Sequence, residues 1–199
     1  MKLKIIRYSI ILFGFALSCK SNEESIIKKI EILDHQKTTE LIKYILEEEK
    51  YRDLSSSCIL EQSPPLEFHG GMKEDFDSYL KDLLQIKNSI HYKTQRKLLR
   101  NFKVNKSLVP QKRILQKQLF NKFEEKSKIE RFRFWDWLDE NCEQGYCFLS
   151  KPIFNETFDL AYVQMGSVCG GLCGGGEIKI YEFKNGIWSV KESLGTWVH

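Results

Sequence analysis

Apolar and polar positions alternate along the chain in several distinct rhythms. An uninterrupted apolar run covers Ile10 to Leu17. Residues 26–53 then take helical spacing, with Leu41, Ile42 and Ile45 on one face and Glu47 to Glu49 outside it. The stretch from Ser55 through Cys58 to Pro64-Pro65, followed by Gly70-Gly71, carries turn chemistry and reads as loop. From Lys73 the positions Phe76, Tyr79, Leu80, Leu83, Leu84 and Ile90 recur at three- and four-residue steps, which predicts one amphipathic helix running toward Leu99. Pro110 punctuates the chain, and Ile114, Leu115, Leu119 and Phe123 predict a further helix. Phe132, Phe134, Trp135, Trp137 and Leu138 predict a short helix pinned into the core.

After Gly145 the period falls to about two residues, the repeat of a strand with one buried face. Phe148 to Phe154, Leu160 to Val168, Ile178 to Phe183 and Ile187 to Leu194 read as strands. Asn185-Gly186 between the last two predicts a two-residue hairpin, because both residues tolerate positive φ. The expected architecture is α+β: N-terminal helices packed on a C-terminal antiparallel β-meander of about four strands. A chain of 199 residues suits one such domain. Its expected bounds are 26–199, helical over 26–144 and β-meander over 145–199.

The N-terminal run has its own meaning. Lys2, Lys4 and Arg7 precede it, and eight apolar residues fall far short of the roughly 20 that span a bilayer as a helix. Ala16-Leu17-Ser18 then leads into Cys19. This resembles the lipobox of bacterial lipoproteins, whose usual pattern has Leu three residues before the cysteine, where this chain has Ala16. The resemblance implies a signal peptide over 1–18, cleavage before Cys19, and a diacylglyceryl group on its thiol. Residues 19–25 then form the lipidated cysteine and a polar tether, with Glu23-Glu24 like the acidic export signal of some surface lipoproteins. The expected location is the cell envelope, at the outer membrane, held by acyl chains that each contribute about 0.8 kcal/mol per buried CH₂.

Charge changes the picture once it is divided by segment. The chain has 31 Lys+Arg against 27 Asp+Glu, a net of +4 and a pI near 8.6. Removing the three basic residues of the leader leaves 28 against 27. Residues 20–86 carry 9 basic and 15 acidic groups, 87–123 carry 11 basic and none acidic, and 134–199 carry 4 basic and 9 acidic. Within the basic stretch, Lys93, Arg96, Lys97, Arg100, Lys103 and Lys106 are candidates for binding an anionic envelope polymer or lipid headgroups. The competing reading is internal compensation by the two acidic arms. Another envelope protein is the alternative partner, and export argues against nucleic acid.

Six cysteines remain to be placed, and lipidation of Cys19 leaves five. Cys142, Cys147, Cys169 and Cys173 are the disulfide candidates, with Cys58 the expected leftover. Local pairing (142 with 147, 169 with 173) and crossed pairing both remain open. A tetrathiolate zinc site competes, but an exported compartment favours oxidised thiols. The glycine-rich loop Cys169-Gly-Gly-Leu-Cys-Gly-Gly-Gly176 lacks the Lys-Ser or Lys-Thr and the following helix of a phosphate-binding loop. No metal or cofactor is implied.

That loop belongs to a longer resemblance. Ser150-Lys-Pro-Ile-Phe154, Ala161-Tyr-Val163, Cys169 to Gly176, Gly186-Ile-Trp188 and Trp197 are similar to the C-terminal pattern of an uncharacterised family of small exported bacterial proteins. The resemblance implies helices preceding the sheet and brings no activity with it.

The sequence assembles no catalytic constellation of nucleophile, base and orienter. His69-Gly-Gly71 resembles an esterase oxyanion loop without any Gly-x-Ser-x-Gly to supply the nucleophile. His35, His69, His91 and His199 are scattered and read as surface or loop residues. Asp136, Asp139 and Glu140 beside Trp135 and Trp137 offer carboxylates flanked by aromatics, the pattern of a polysaccharide hydrolase, with Asp136 or Glu140 as acid. The leading expectation is a lipid-anchored envelope protein that binds or scaffolds, and such a hydrolase is the alternative.

Overall fold

The computed structural model describes residues 3–48, 54–66, 75–119, 121–122 and 133–198, with the backbone alone for 3–21 and 133. In chain order the elements are α1 (Leu3–Glu48), β1 (Cys58–Leu60), α2 (Phe76–Leu83), α3 (Ser89–Asn101), β2 (Arg113–Leu115), α4 (Arg133–Asn141), β3 (Tyr146–Leu149), β4 (Ile153–Phe154), β5 (Leu160–Gly170), β6 (Cys173–Lys184) and β7 (Ile187–Val198). Helix α1 continues through residues 20–25, so the stretch read as a tether is helical. No described helix is long and apolar enough to cross a membrane.

Helices and sheet form an α+β fold, as the change of hydrophobic period predicts. The sheet is larger than a four-stranded meander: among the described residues it has seven strands in the order β2-β1-β3-β5-β6-β7, with β4 paired to β5. It is also mixed. Strand β1 lies parallel to both β2 and β3, whereas the β3–β5, β5–β6 and β6–β7 pairs are antiparallel. Two pieces of the region expected to be helical, 26–144, therefore join the sheet: Cys58–Leu60, read as loop, and Arg113–Leu115, read as helix. Three residues are too few to show a period, and parallel partners lie far apart in sequence, so neither strand announces itself locally.

Alternation along the strands divides the core between the two faces of the sheet. Ile59, Leu149, Val163, Met165, Tyr181 and Trp188 pack with Ile30, Leu41, Ile42 and Ile45 of α1. On the other face, Tyr162, Ile178 and Ile180 meet Leu80, Leu84, Ile86 and Tyr92 of the α2–α3 region. Nearer β1, Cys58 and Leu115 meet Leu138 and Cys142 of α4. Truncating any of these fully buried aliphatic side chains to alanine costs about 2–5 kcal/mol.

The single helix predicted from Lys73 toward Leu99 is two. Helix α2 ends in a Schellman motif: Ile86 N–H donates to the Lys81 carbonyl at 2.8 Å, Gln85 N–H to the Asp82 carbonyl at 3.2 Å, and Gln85 takes φ 55°. Glutamine at this left-handed position hides a stop that glycine would have advertised. Asn88 then caps α3, its side-chain oxygen accepting from Ile90 N–H and His91 N–H. The hairpin at Asn185-Gly186 forms as its residues predict, both with positive φ (54° and 85°).

The sheet register also decides the cysteine chemistry. Cys58 bonds to Cys142 and Cys169 to Cys173. Among the described residues Cys147 is the free thiol, not Cys58, and no tetrathiolate cluster is present. The reason is strand alternation: Cys147 is the register partner of Ile59, so its side chain shares the α1 face with Ile59. Cys58 points to the opposite face, where Cys142 sits at the end of α4.

Candidate cation-lined clefts around α3

Helix α3 presents Arg96 and Arg100 one turn apart, and a cavity opens on either side of them. Toward α2, a cleft of about 580 Å³ is lined by Asp77 and Lys81 from α2 and by Tyr92, Lys93, Arg96, Lys97 and Arg100 from α3. Its one carboxylate is committed. The Asp77 side chain accepts from the Tyr92 hydroxyl at 2.8 Å and pairs with Arg96 Nη2 at 3.2 Å. Burial, reinforced by this hydrogen bond, raises the Tyr92 phenol above the ordinary tyrosine range, so it remains a donor.

The six basic residues singled out by sequence divide into three groups. Arg96, Lys97 and Lys103 meet acids from the N-terminal segment: Asp77, Glu31 (3.7 Å) and Glu61 (3.2 Å). Lys106 donates to the Lys112 carbonyl at 2.8 Å and secures a turn. Lys93 and Arg100 are exposed, and among the described residues they have no acidic partner. The acidic N-terminal arm therefore answers half of the candidate set.

Beneath α3 lies a buried polar network that the sequence did not reveal. Lys151 Nζ donates to Asp34 Oδ2 at 2.6 Å and to the Pro152 carbonyl at 2.9 Å, with Lys151 only 3% exposed. Gln95 Nε2 donates to the same carboxylate at 2.7 Å, while Gln95 Oε1 accepts from Phe154 N–H at 3.1 Å. His91 is buried rather than at the surface: its Nε2 donates to the Phe154 carbonyl at 3.0 Å and its ring meets Phe158 edge-on. Burial lowers the Lys151 ammonium below the ordinary lysine range, with Asp34 opposing the shift. The network ties α1, α3 and the β3–β4 link together. The one sequence signal was Asp34 and Thr38 falling on the inward stripe of α1.

The alternative catalytic residues share the exposed face of one helix. Asp136, Asp139 and Glu140 are exposed on α4 while Leu138 and Cys142 face the core. The neighbouring aromatics serve packing: Phe134 meets Trp135 edge-on at 5.0 Å, and Arg113 lies over the Trp137 ring at 5.5 Å. His35 is exposed, and His69 and His199 lie outside the described residues. Side chains before residue 22 also lie outside them, Cys19 included.

A third cavity, of about 490 Å³, holds Ser55, Ser56, Ser57 and Lys112. The residue types suggest a serine–lysine nucleophile, but the donors are already used. Lys112 Nζ donates to the Leu54 and Ser56 carbonyls, Ser56 Oγ to the Gln144 carbonyl at 2.8 Å, and Ser57 Oγ to the Glu143 carbonyl at 3.3 Å. Burial pushes the Cys147 thiol up to about 11, although Lys112 pulls the other way, so it stays a protonated core group.

Comparison with family models, with curated proteins and with solved structures finds no match to this chain.

Proposed function

We propose that this is a lipid-anchored cell-envelope protein whose folded domain binds an anionic envelope polymer through the cleft between α2 and α3. The observation that carries the reading is the cleft itself: five cationic side chains line it, against one carboxylate that is already paired. Lys93 and Arg100 remain open to a ligand at its edge. Polymer recognition needs this arrangement, because spaced cations along a groove track repeated sulfates or phosphates. The anchor rests on the basic leader, the short apolar run and Cys19. Two oxidised cysteine pairs fit a compartment outside the cytoplasm.

The test is binding of the full chain to dextran sulfate, with uncharged dextran as the control, across a series of salt concentrations. Binding to the sulfated polymer alone, weakening with salt, is expected. Lys93→Glu/Lys97→Glu should weaken it about tenfold, roughly 1.4 kcal/mol. Equal binding of dextran, or an unchanged affinity in the double variant, overturns the reading.

A further inference from the structure

We infer that the cavity on the other side of Arg96 and Arg100 is a separate binding site for a small anionic amphiphile, a molecule with one carboxylate or phosphate head on an apolar body. The cavity measures about 600 Å³. That lies within the roughly 300–1,000 Å³ typical of small-molecule pockets. Its walls come from the end of β1 and the following residues Gln62–Leu66, the C-terminal half of α3, Phe102, Lys117, Asn121 and Lys151.

The lining has two chemistries in one space. Leu60, Leu66, Leu99 and Phe102 offer apolar surface, with Pro64 and Pro65 beside them. Arg96, Arg100, Lys117 and Lys151 supply four cations, and among the described residues the lining contains no acidic side chain. Apolar walls alone would accept any hydrophobe, and cations alone any anion. Together they select a molecule carrying both.

Two polar groups reinforce the assignment. Lys151 spends two of its three N–H groups on Asp34 and Pro152, leaving one donor from a side chain that is nearly wholly buried. The Arg96 guanidinium holds Asp77 through Nη2, while its buried Nε has no hydrogen-bond partner among the described residues. A buried donor without a partner costs free energy that an arriving oxyanion recovers. Arg100 and Lys117 are exposed and, among the described residues, have no ion-pair partner, so they can meet the head group.

This inference does not depend on the polymer-binding reading, because the two clefts have residues of their own. Lys93 and Lys97 line only the cleft toward α2, and Phe102 and Lys117 only this cavity.

The experiment titrates the full chain with dodecanoate and with dodecyl phosphate below their micelle concentrations. Dodecanol and inorganic phosphate serve as half-ligand controls. The expected result is saturable binding of one or both amphiphiles, at least about tenfold tighter than either control. Binding of dodecanoate alone assigns a carboxylate head, and of dodecyl phosphate alone a phosphate head. Arg100→Ala/Lys117→Ala should lose about tenfold in affinity, with an unchanged melting temperature because both side chains are exposed. Phe102→Leu, which keeps the wall apolar but alters its shape, should also weaken amphiphile binding. Lys93→Glu/Lys97→Glu should leave amphiphile binding unchanged. Absence of binding, equal binding of dodecanol, full affinity in Arg100→Ala/Lys117→Ala, or loss in Lys93→Glu/Lys97→Glu overturns the inference.

Discussion

Asp34 and Lys151 form the most consequential residue pair in the interior. Each is almost fully buried and each charge is answered by the other. Removing one partner leaves an uncompensated buried charge, which costs about 3–5 kcal/mol. Asp34→Ala is therefore expected to lower unfolding free energy by that amount in urea denaturation. Asp34→Leu/Lys151→Met should recover most of it, since an apolar pair of similar volume removes both desolvation costs. A double variant as unstable as the single one would mean that Gln95, not the ion pair, carries the network.

Glu156 carries a second residue-scale prediction. Its carboxylate accepts from Asn88 N–H and Lys87 N–H, both at 2.7 Å, at the start of α3. Those bonds hold its pKa below the reference 4.5. A depressed carboxyl pKa contributes stability above the unfolded value, and that stability disappears as pH falls through the folded value. Glu156→Gln should thus be less stable than the parent at pH 7. The gap should close at an acid pH below the folded value, where both side chains are neutral. Parallel melting curves at the two pH values decide it, and a gap that persists in acid would sink the assignment.

At the scale of elements, the two disulfides differ most in what they connect. Cys58–Cys142 links β1 to the end of α4 across 84 residues, whereas Cys169–Cys173 closes a tip of four. Loop-closure entropy predicts about 4–5 kcal/mol for the long bridge and about 2 kcal/mol for the short one. Cys58→Ser/Cys142→Ser should therefore destabilise the protein more than Cys169→Ser/Cys173→Ser, read from denaturation midpoints of the two double variants. The tip at Cys169 is also where Gly145 is required. It takes φ +75°, and a Cβ there would collide with the Val168 carbonyl oxygen.

Strand β7 shows a different device. It exposes Ile187, Val190 and Val198 along an outer edge, which invites pairing with other chains. Two register shifts against β6 interrupt it, Lys191 being the unpaired residue of one and Glu192 its neighbour. Bulges and charges of this kind protect an edge strand.

The whole molecule offers a test that joins anchor and fold. An intact mass of protein extracted from membranes should correspond to a chain beginning at Cys19 and carrying acyl groups. Alkylation without reduction should add nothing to the native protein. After unfolding without reduction it should add one group, at Cys147, because the other four thiols are bridged. A mass equal to the unmodified full chain would remove the anchor, and two or more alkylations would remove a bridge.

Short-range chemistry makes part of this fold readable from the residues alone. The strand period after Gly145, the Asn185-Gly186 turn, the inward stripe of α1 and the acidic and basic blocks are all legible, because each depends on neighbours within a few residues. Long-range packing sets the remainder. Three-residue strands β1 and β2 gain their identity only from partners far along the chain, and the cysteine pairing follows from that register. The buried Lys151 and His91 look like surface residues until α1 and α3 supply Asp34 and the Phe154 carbonyl is brought near. Likewise the basic stretch became two clefts only when α2, α3 and the end of β1 came together. Local periodicity states which face a residue prefers, and long-range packing states what that face will meet.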